Sequence, residues 1–144
     1  LHELASGLGY DIWVYDDRTD CFGRGQFPGA SVLSGAWKRL REALWTTRET
    51  YVVLLNRDFQ SDVAALRVVA ESIDASGRPP RFVGMMGSRR RIGEVRKALG
   101  KAADSLTAIE APVGIEIGAE TPHEIAVSIL ARLVAIRRTT VGAT

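Results

Sequence analysis

What most limits the folds open to this chain is an alternation. Short apolar runs that read as strands are separated by segments of about ten residues or more with helical periodicity. Tyr10 to Tyr15 is an apolar and aromatic run closed by Asp16-Asp17. Tyr51 to Leu55 is β-branched and apolar throughout, the pattern of a strand covered on both faces. Arg81 to Met86 is a third such run. Between and around them, His2 to Leu8, Ser34 to Leu44, Val63 to Ile73 and Ser88 to Leu99 carry apolar residues at helical spacing, and Gly9 and Gly100 stand as stops. Residues 18–31 read as loop, and residues 111–118, punctuated by glycine, as extended chain and a candidate last strand. The expected fold is α/β: a Rossmann-like parallel sheet with helices on both faces, in a single domain over residues 1–144.

Thr121 to Arg138 is the clearest helix. Thr121-Pro122-His123-Glu124 is a capping box with proline at the first helical position. Glu124 is thus accounted for as a cap and His123 as a surface residue. His2 has no companion at metal-ligand spacing, so no metal site is expected. The single cysteine, Cys21, excludes an internal disulfide and a cysteine-built zinc site, and it fits a reducing, cytoplasmic setting. The acid-rich turn before it should not activate its thiolate. The longest nearly apolar stretch, Ile125 to Ile136, is too short to span a bilayer, so no membrane partner is expected.

The formal net charge is only +2, but eight basic residues between Arg78 and Lys101 face one acid, Glu94. That segment carries +7 and leaves −5 for the rest of the chain. Such a field favours an anionic ligand or partner. Nucleic acid is not expected: the segment lacks interleaved aromatics, and no nucleic-acid-binding motif is legible.

In a parallel α/β sheet, ligands bind beyond the carboxyl ends of the strands. Three loops fall there. Asp16-Asp17-Arg18 offers a carboxylate where dinucleotide folds place their ribose acceptor, although adjacent acids also serve as turn formers. Asn56-Arg57-Asp58 is the second loop. The third, Gly84 to Arg91, joins a tight glycine turn at Gly87, a helix cap at Ser88 and three arginines in the first helical turn. Cations at a helix N-terminus oppose its dipole, and an i,i+4 pair between Arg90 and Glu94 offsets only part of that. A bound phosphate would turn the repulsion into attraction, and a solvated basic face is the plainer alternative. The expected cofactor-binding residues are Asp16, Asp17, Arg18, Arg57, Gly84, Gly87, Ser88, Arg89 and Arg90, with no catalytic residue assigned.

Four stretches in register resemble one family. They are Val14-Tyr15-Asp16-Asp17-Arg18, Phe27-Pro28-Gly29-Ala30, Gly84-Met85-Met86-Gly87-Ser88-Arg89-Arg90, and Ala111 through Ile129 with its Gly114, Glu116, Gly118, Glu120 and Thr121-Pro122-His123-Glu124. Together they are similar to the C-terminal Rossmann-like domain of the XdhC/CoxI family, across nearly the whole chain. The resemblance implies a maturation factor without turnover of its own. Such a factor binds the molybdenum cofactor, a pterin with a phosphate that is sometimes extended to a dinucleotide. It supports sulfuration of that cofactor and its insertion into a xanthine dehydrogenase or carbon monoxide dehydrogenase type apoenzyme. Implied partners are that molybdenum hydroxylase apoenzyme and a sulfurase.

Two features of the family pattern are not in this chain. A first strand with a Gly-x-Gly-His loop would precede the helix ending at Leu8, and Phe59 stands where the family carries a histidine. The expected fold therefore lacks its first strand and Gly-rich loop and is N-terminally incomplete. In the Rossmann order that strand lies centrally. Its absence exposes edges of apolar strands, which leads to three expectations: a fragment of a longer protein, a strand supplied by a partner, or a sheet closed directly across the gap. A homodimer is expected if these residues stand alone. Two other functions share the fold, an NAD(P)-dependent oxidoreductase and a nucleotide-binding module that docks on an enzyme. Fold alone does not separate them.

Overall fold

The computed structural model describes residues 1–44, 49–106 and 108–141, the side chains of 140 and 141 excepted. Its elements run in the order α1 (His2–Gly7), β1 (Trp13–Asp16), β2 (Ser31–Ser34), α2 (Leu40–Leu44), β3 (Tyr51–Leu54), α3 (Phe59–Ser76), β4 (Phe82–Met85), α4 (Arg89–Leu99) and α5 (Pro122–Val141). A 3-10 turn at Trp37–Arg39 leads into α2, and a 3-10 stretch Gly100–Ser105 follows α4.

The strands pair in parallel, β1 with β2 from Trp13–Ser31 to Asp16–Ser34, and β3 with β4 from Tyr51–Phe82 to Leu54–Met85. Period-two alternation sorts β3 and β4 cleanly between two cores. Val52, Leu54, Val83 and Met85 face α3 and α4, in a cluster with Leu66, Val69, Val95 and Leu99. Tyr51, Val53 and Phe82 face the other way, toward Ala5 of α1 and Leu130 and Leu133 of α5. Helices on both faces of parallel strands make this a Rossmann-like α/β fold, as the alternation of elements requires.

Three local expectations need correction. Ser31–Ser34 is a strand, although the chain there reads as loop giving way to helix; Trp37 sits in the 3-10 turn and α2 begins only at Leu40. Residues 111–118 form no strand. Among the described residues the β pairing of that region is a single bridge between Gly84 and Glu110. Val113 N–H still donates to the Met85 carbonyl of β4 at 3.0 Å, and beyond it the chain leaves the sheet and binds α5 through Ile115 N–H to the Ser128 carbonyl, 3.1 Å. Nor does the sheet close directly: among the described residues β1 and β3 share no ladder.

Side chains hold the two pairs together. Tyr10 meets Tyr51 edge to face at 5.7 Å, where β1 and β3 begin. Near the far end of β1, Tyr15 meets Trp37 at 5.2 Å, and Trp37 packs on the cluster that contains Leu54. These contacts tie β1 to the start of β3 at one end and, through Trp37, to the core cluster at the other.

Candidate functional site

Each strand tip is built from its own local chemistry. Asp16 ends β1, and its carboxylate is occupied by Arg18. It accepts from the Arg18 backbone N–H at 2.9 Å, from Nε at 3.1 Å and from Nη2 at 3.0 Å. Those bonds hold the Asp16 carboxyl near pKa 2, well below its ordinary 3.8. Asp17 is exposed beside it. Behind them, the Tyr15 hydroxyl donates to the Gly35 carbonyl at 2.5 Å, and burial, then the charges of Asp17 and Asp16, push its pKa up to about 12. Cys21 donates to the Arg18 carbonyl, and burial, then Asp16, raises its thiol pKa; this matches the expectation of an unactivated sulfur.

The tips of β3 and β4 are locked to each other by a residue that sequence reading passes over. Asp62, one turn into α3, is fully buried. One carboxylate oxygen accepts from Asn56 Nδ2 at 3.1 Å; the other accepts from Arg91 Nε at 2.9 Å and Nη2 at 2.5 Å. Arg91 also donates to the Arg57 carbonyl at 3.4 Å. A single carboxylate thus fastens the loop after β3 to the start of α4. The signal available was an acid in the first turn of a helix, a common dipole-favouring choice that names no partner.

This changes the reading of the arginine triplet. Arg91 is spent on Asp62, and Arg90 lies 3.4 Å from Glu94 in the expected i,i+4 pair. Arg89 is exposed at the mouth of the helix. Ser88 caps α4 by accepting from Arg91 N–H at 3.2 Å, as expected. Gly87 holds φ at +134°, and a Cβ there would lie 2.8 Å from Arg91 Cδ, so glycine lets the guanidinium chain fold over the turn. Gly84 lies inside β4, within the run expected as a strand, and a Cβ there would strike Val113 at 2.5 Å and the Phe82 ring at 2.7 Å. Packing between sheet and connecting chain accounts for that glycine.

Arg57 is exposed, and Asp58 caps α3 by accepting from Ser61 N–H and Oγ, bonds that lower its pKa. Glu116 accepts from Gly118 N–H at 3.0 Å in a turn, and Glu124 closes the expected box with the N–H groups of Glu120 and Thr121. Among the described residues no group of His, Cys, Asp and Glu could hold a metal ion, and no helix is long and apolar enough to cross a membrane.

The tip of β1 thus carries an acid pair crossed by Arg18, and the tips of β3 and β4 carry three exposed arginines, Arg57, Arg89 and Arg90, beside the capped start of α4. The pattern of the XdhC Rossmann domain matches residues 1–133. The chain belongs to the XdhC family. It is 31% identical, over 99% of its length, to an uncharacterized Escherichia coli protein, YqeB, and covers 26% of that protein. It is 27% identical over 93% of its length to the E. coli molybdenum cofactor insertion chaperone PaoD, of which it covers 35%. A probable xanthine dehydrogenase component from Bacillus subtilis is 28% identical over 96% of the chain, which covers 39% of that relative. The crystal structure of a xanthine dehydrogenase from Bacillus halodurans superposes with a TM-score of 0.75 at 25% identity, over 96% of this chain and 38% of that one. The chain thus spans between a quarter and two-fifths of the length of these relatives.

Proposed function

We propose that this XdhC domain helps mature a molybdenum hydroxylase by holding the molybdenum cofactor during its sulfuration and insertion into the apoenzyme. The observation that carries the reading is the start of α4. Arg89 and Arg90 stand exposed there beside a helix N-terminus whose Ser88 cap and Gly87 turn are rigidly set. A phosphate fits such a place, with backbone N–H groups and guanidinium donors both available. Arg57, exposed on the neighbouring loop, adds positive charge, and Asp17 offers an exposed acceptor for a pterin or ribose donor. Asp16 and Arg18 meet a ligand only by opening the bonds they make to each other. The cofactor supplies the redox metal and its sulfur ligands; the chain supplies anion binding and orientation. The partner classes are the apoenzyme and a sulfurase, and two copies of the chain are proposed to pair.

The test is a titration of molybdenum cofactor, its dinucleotide form and NAD(P) against the wild-type chain and an Arg89→Ala/Arg90→Ala variant. Loss of two charge-assisted contacts should weaken cofactor binding about 10- to 100-fold. Equal binding by both proteins removes the anion site. Tight NAD(P) binding with substrate-dependent hydride transfer replaces the maturation reading by an oxidoreductase.

A further inference from the structure

Beside the arginines at the start of α4 the strand tips carry large apolar side chains that charge does not explain. The register of β3 and β4 ends with Leu54 beside Met85, which brings Leu55 beside Met86 one step further on. Met86 N–H still donates to the Leu54 carbonyl at 3.0 Å, so the ladder reaches that far. Leu55 is nevertheless 46% exposed and Met86 37%. Alternation puts both on the side of Val53 and Gly84, away from α3 and α4. Along the other edge of β4, Val113 N–H donates to the Met85 carbonyl, and two residues later Ile115 is 41% exposed. Three neighbouring stretches of chain thus finish at one end of β3 and β4 on apolar side chains left in water, whereas all four residues of β4 itself are buried. Apolar surface gathered in this way marks an interaction site more often than scattered exposed residues do.

The charges around these tips have one sign to spare. Arg57 follows Leu55 by two positions and Arg89 follows Met86 by three; both are exposed, and among the described residues neither meets a carboxylate. The acids of these segments are engaged within the chain: Asp58 with Ser61, Asp62 with Arg91 and Asn56, Glu110 with Arg132, and Glu116 with Gly118 N–H. Arg91 bonds both Asp62 and the Arg57 carbonyl, so the two loops, and with them the apolar pair and the cations, keep a fixed spacing.

We infer that Leu55 and Met86 seat the flat ring of a ligand whose phosphate lies at Arg89. The inference rests on the anion site proposed above and adds the chemical class that site takes: a planar heterocycle joined to a phosphate, in preference to a free inorganic anion. A leucine and a methionine side by side offer a face without hydrogen-bonding demands, and the thioether adapts to the face or edge of an aromatic ring. Paired strands lie about 4.8 Å apart, so the two side chains together underlie a ring system and not a single atom. Ligand sites combine such apolar surface with a few placed polar groups that fix orientation, and here those groups are guanidinium donors on both flanks.

The experiment titrates molybdenum cofactor and inorganic pyrophosphate against the full chain, a Leu55→Ser/Met86→Ser variant and a Leu55→Met/Met86→Leu variant. Both positions are exposed, so the variants should keep the wild-type denaturation midpoint. The serine pair should weaken cofactor binding about 10- to 100-fold and leave pyrophosphate binding as it was. Its salt dependence should match the wild type, since no charge changes. The Leu55→Met/Met86→Leu variant, which keeps the apolar surface, should bind as the wild type does. A serine pair that binds cofactor at full strength overturns the ring seat and leaves the anion site standing. Equal loss of both ligands marks a role in holding the loops and also overturns the seat. A wild-type chain that binds no cofactor removes the anion site and the seat together.

Discussion

Removing the carboxylate of Asp62 leaves Arg91 folded over Gly87 with only the Arg57 carbonyl, and removing Arg91 leaves a fully buried carboxylate with only Asn56. The second loss is the worse one, because the stranded charge lies deeper: the Asp62 side chain is 1% exposed and that of Arg91 26%. Arg91→Ala should cost about 3–5 kcal/mol and Asp62→Asn less, compared by urea unfolding. Asp16 behaves differently with pH. Its folded pKa, about 2, lies below its ordinary 3.8, so the pair with Arg18 stabilises the fold at pH values above about 4. That contribution is lost as pH falls through about 2. Asp58 and Glu124, also lowered, shift in the same sense. Unfolding followed from pH 7 to pH 2 should show stability falling below about pH 4, and Arg18→Ala should flatten the part owed to Asp16. Asp16, Arg18, Ser88 and Gly87 are legible in the sequence because their chemistry is local. Asp62 is not, because its partners, Asn56 and Arg91, are named only by the fold.

Elements with a start signal were legible. Ser88 and Thr121 cap the helices they precede and Gly100 ends α4, as expected, whereas α3, expected over Val63 to Ile73, runs from Phe59 to Ser76 because Asp58 caps it and Gly77 ends it. Thr121→Ala should cost about 1 kcal/mol by removing the bond to Glu124 N–H, measured as a shift in the denaturation midpoint. Short elements without such signals were not legible. Four residues, Ser31 to Ser34, become a strand because β1 lies beside them, and the chain beyond Val113 leaves the sheet because α5 captures it. Gly114 shows how close that capture is. Its φ is +111°, and a Cβ would meet the Ser128 hydroxyl oxygen and crowd the backbone of α5 there. Gly114→Ala should cost about 2 kcal/mol or more and loosen the segment from α5, visible as faster proteolysis between 108 and 120.

Across the whole molecule, the two strand pairs differ in how they are held. All four residues of β4 are buried, whereas β1 has none fully buried and β2 only Leu33. β1 and β2 are tied to the remainder by packing of Tyr10, Ile12 and Tyr15 and not by a ladder among the described residues. Hydrogen exchange should therefore open 13–16 and 31–34 at lower free energy than 51–54 and 82–85. Leu130→Ala should cost about 2–5 kcal/mol and widen that difference, since Leu130 belongs to the cluster that Tyr10 and Ile12 share with β3. Equal protection of both pairs would contradict this division.

Apolar periodicity, capping residues and glycine stops act within a few positions of themselves. By themselves they determined where the helices fall, though not the start of α2, and three of the four strands and the two-sided layering. The bonds from Arg91 to Asp62, the departure of the chain after Val113 and the separation of the strand pairs depend on residues far apart in sequence. Contacts of that kind form only once the layers have packed, so the tertiary structure alone decided them.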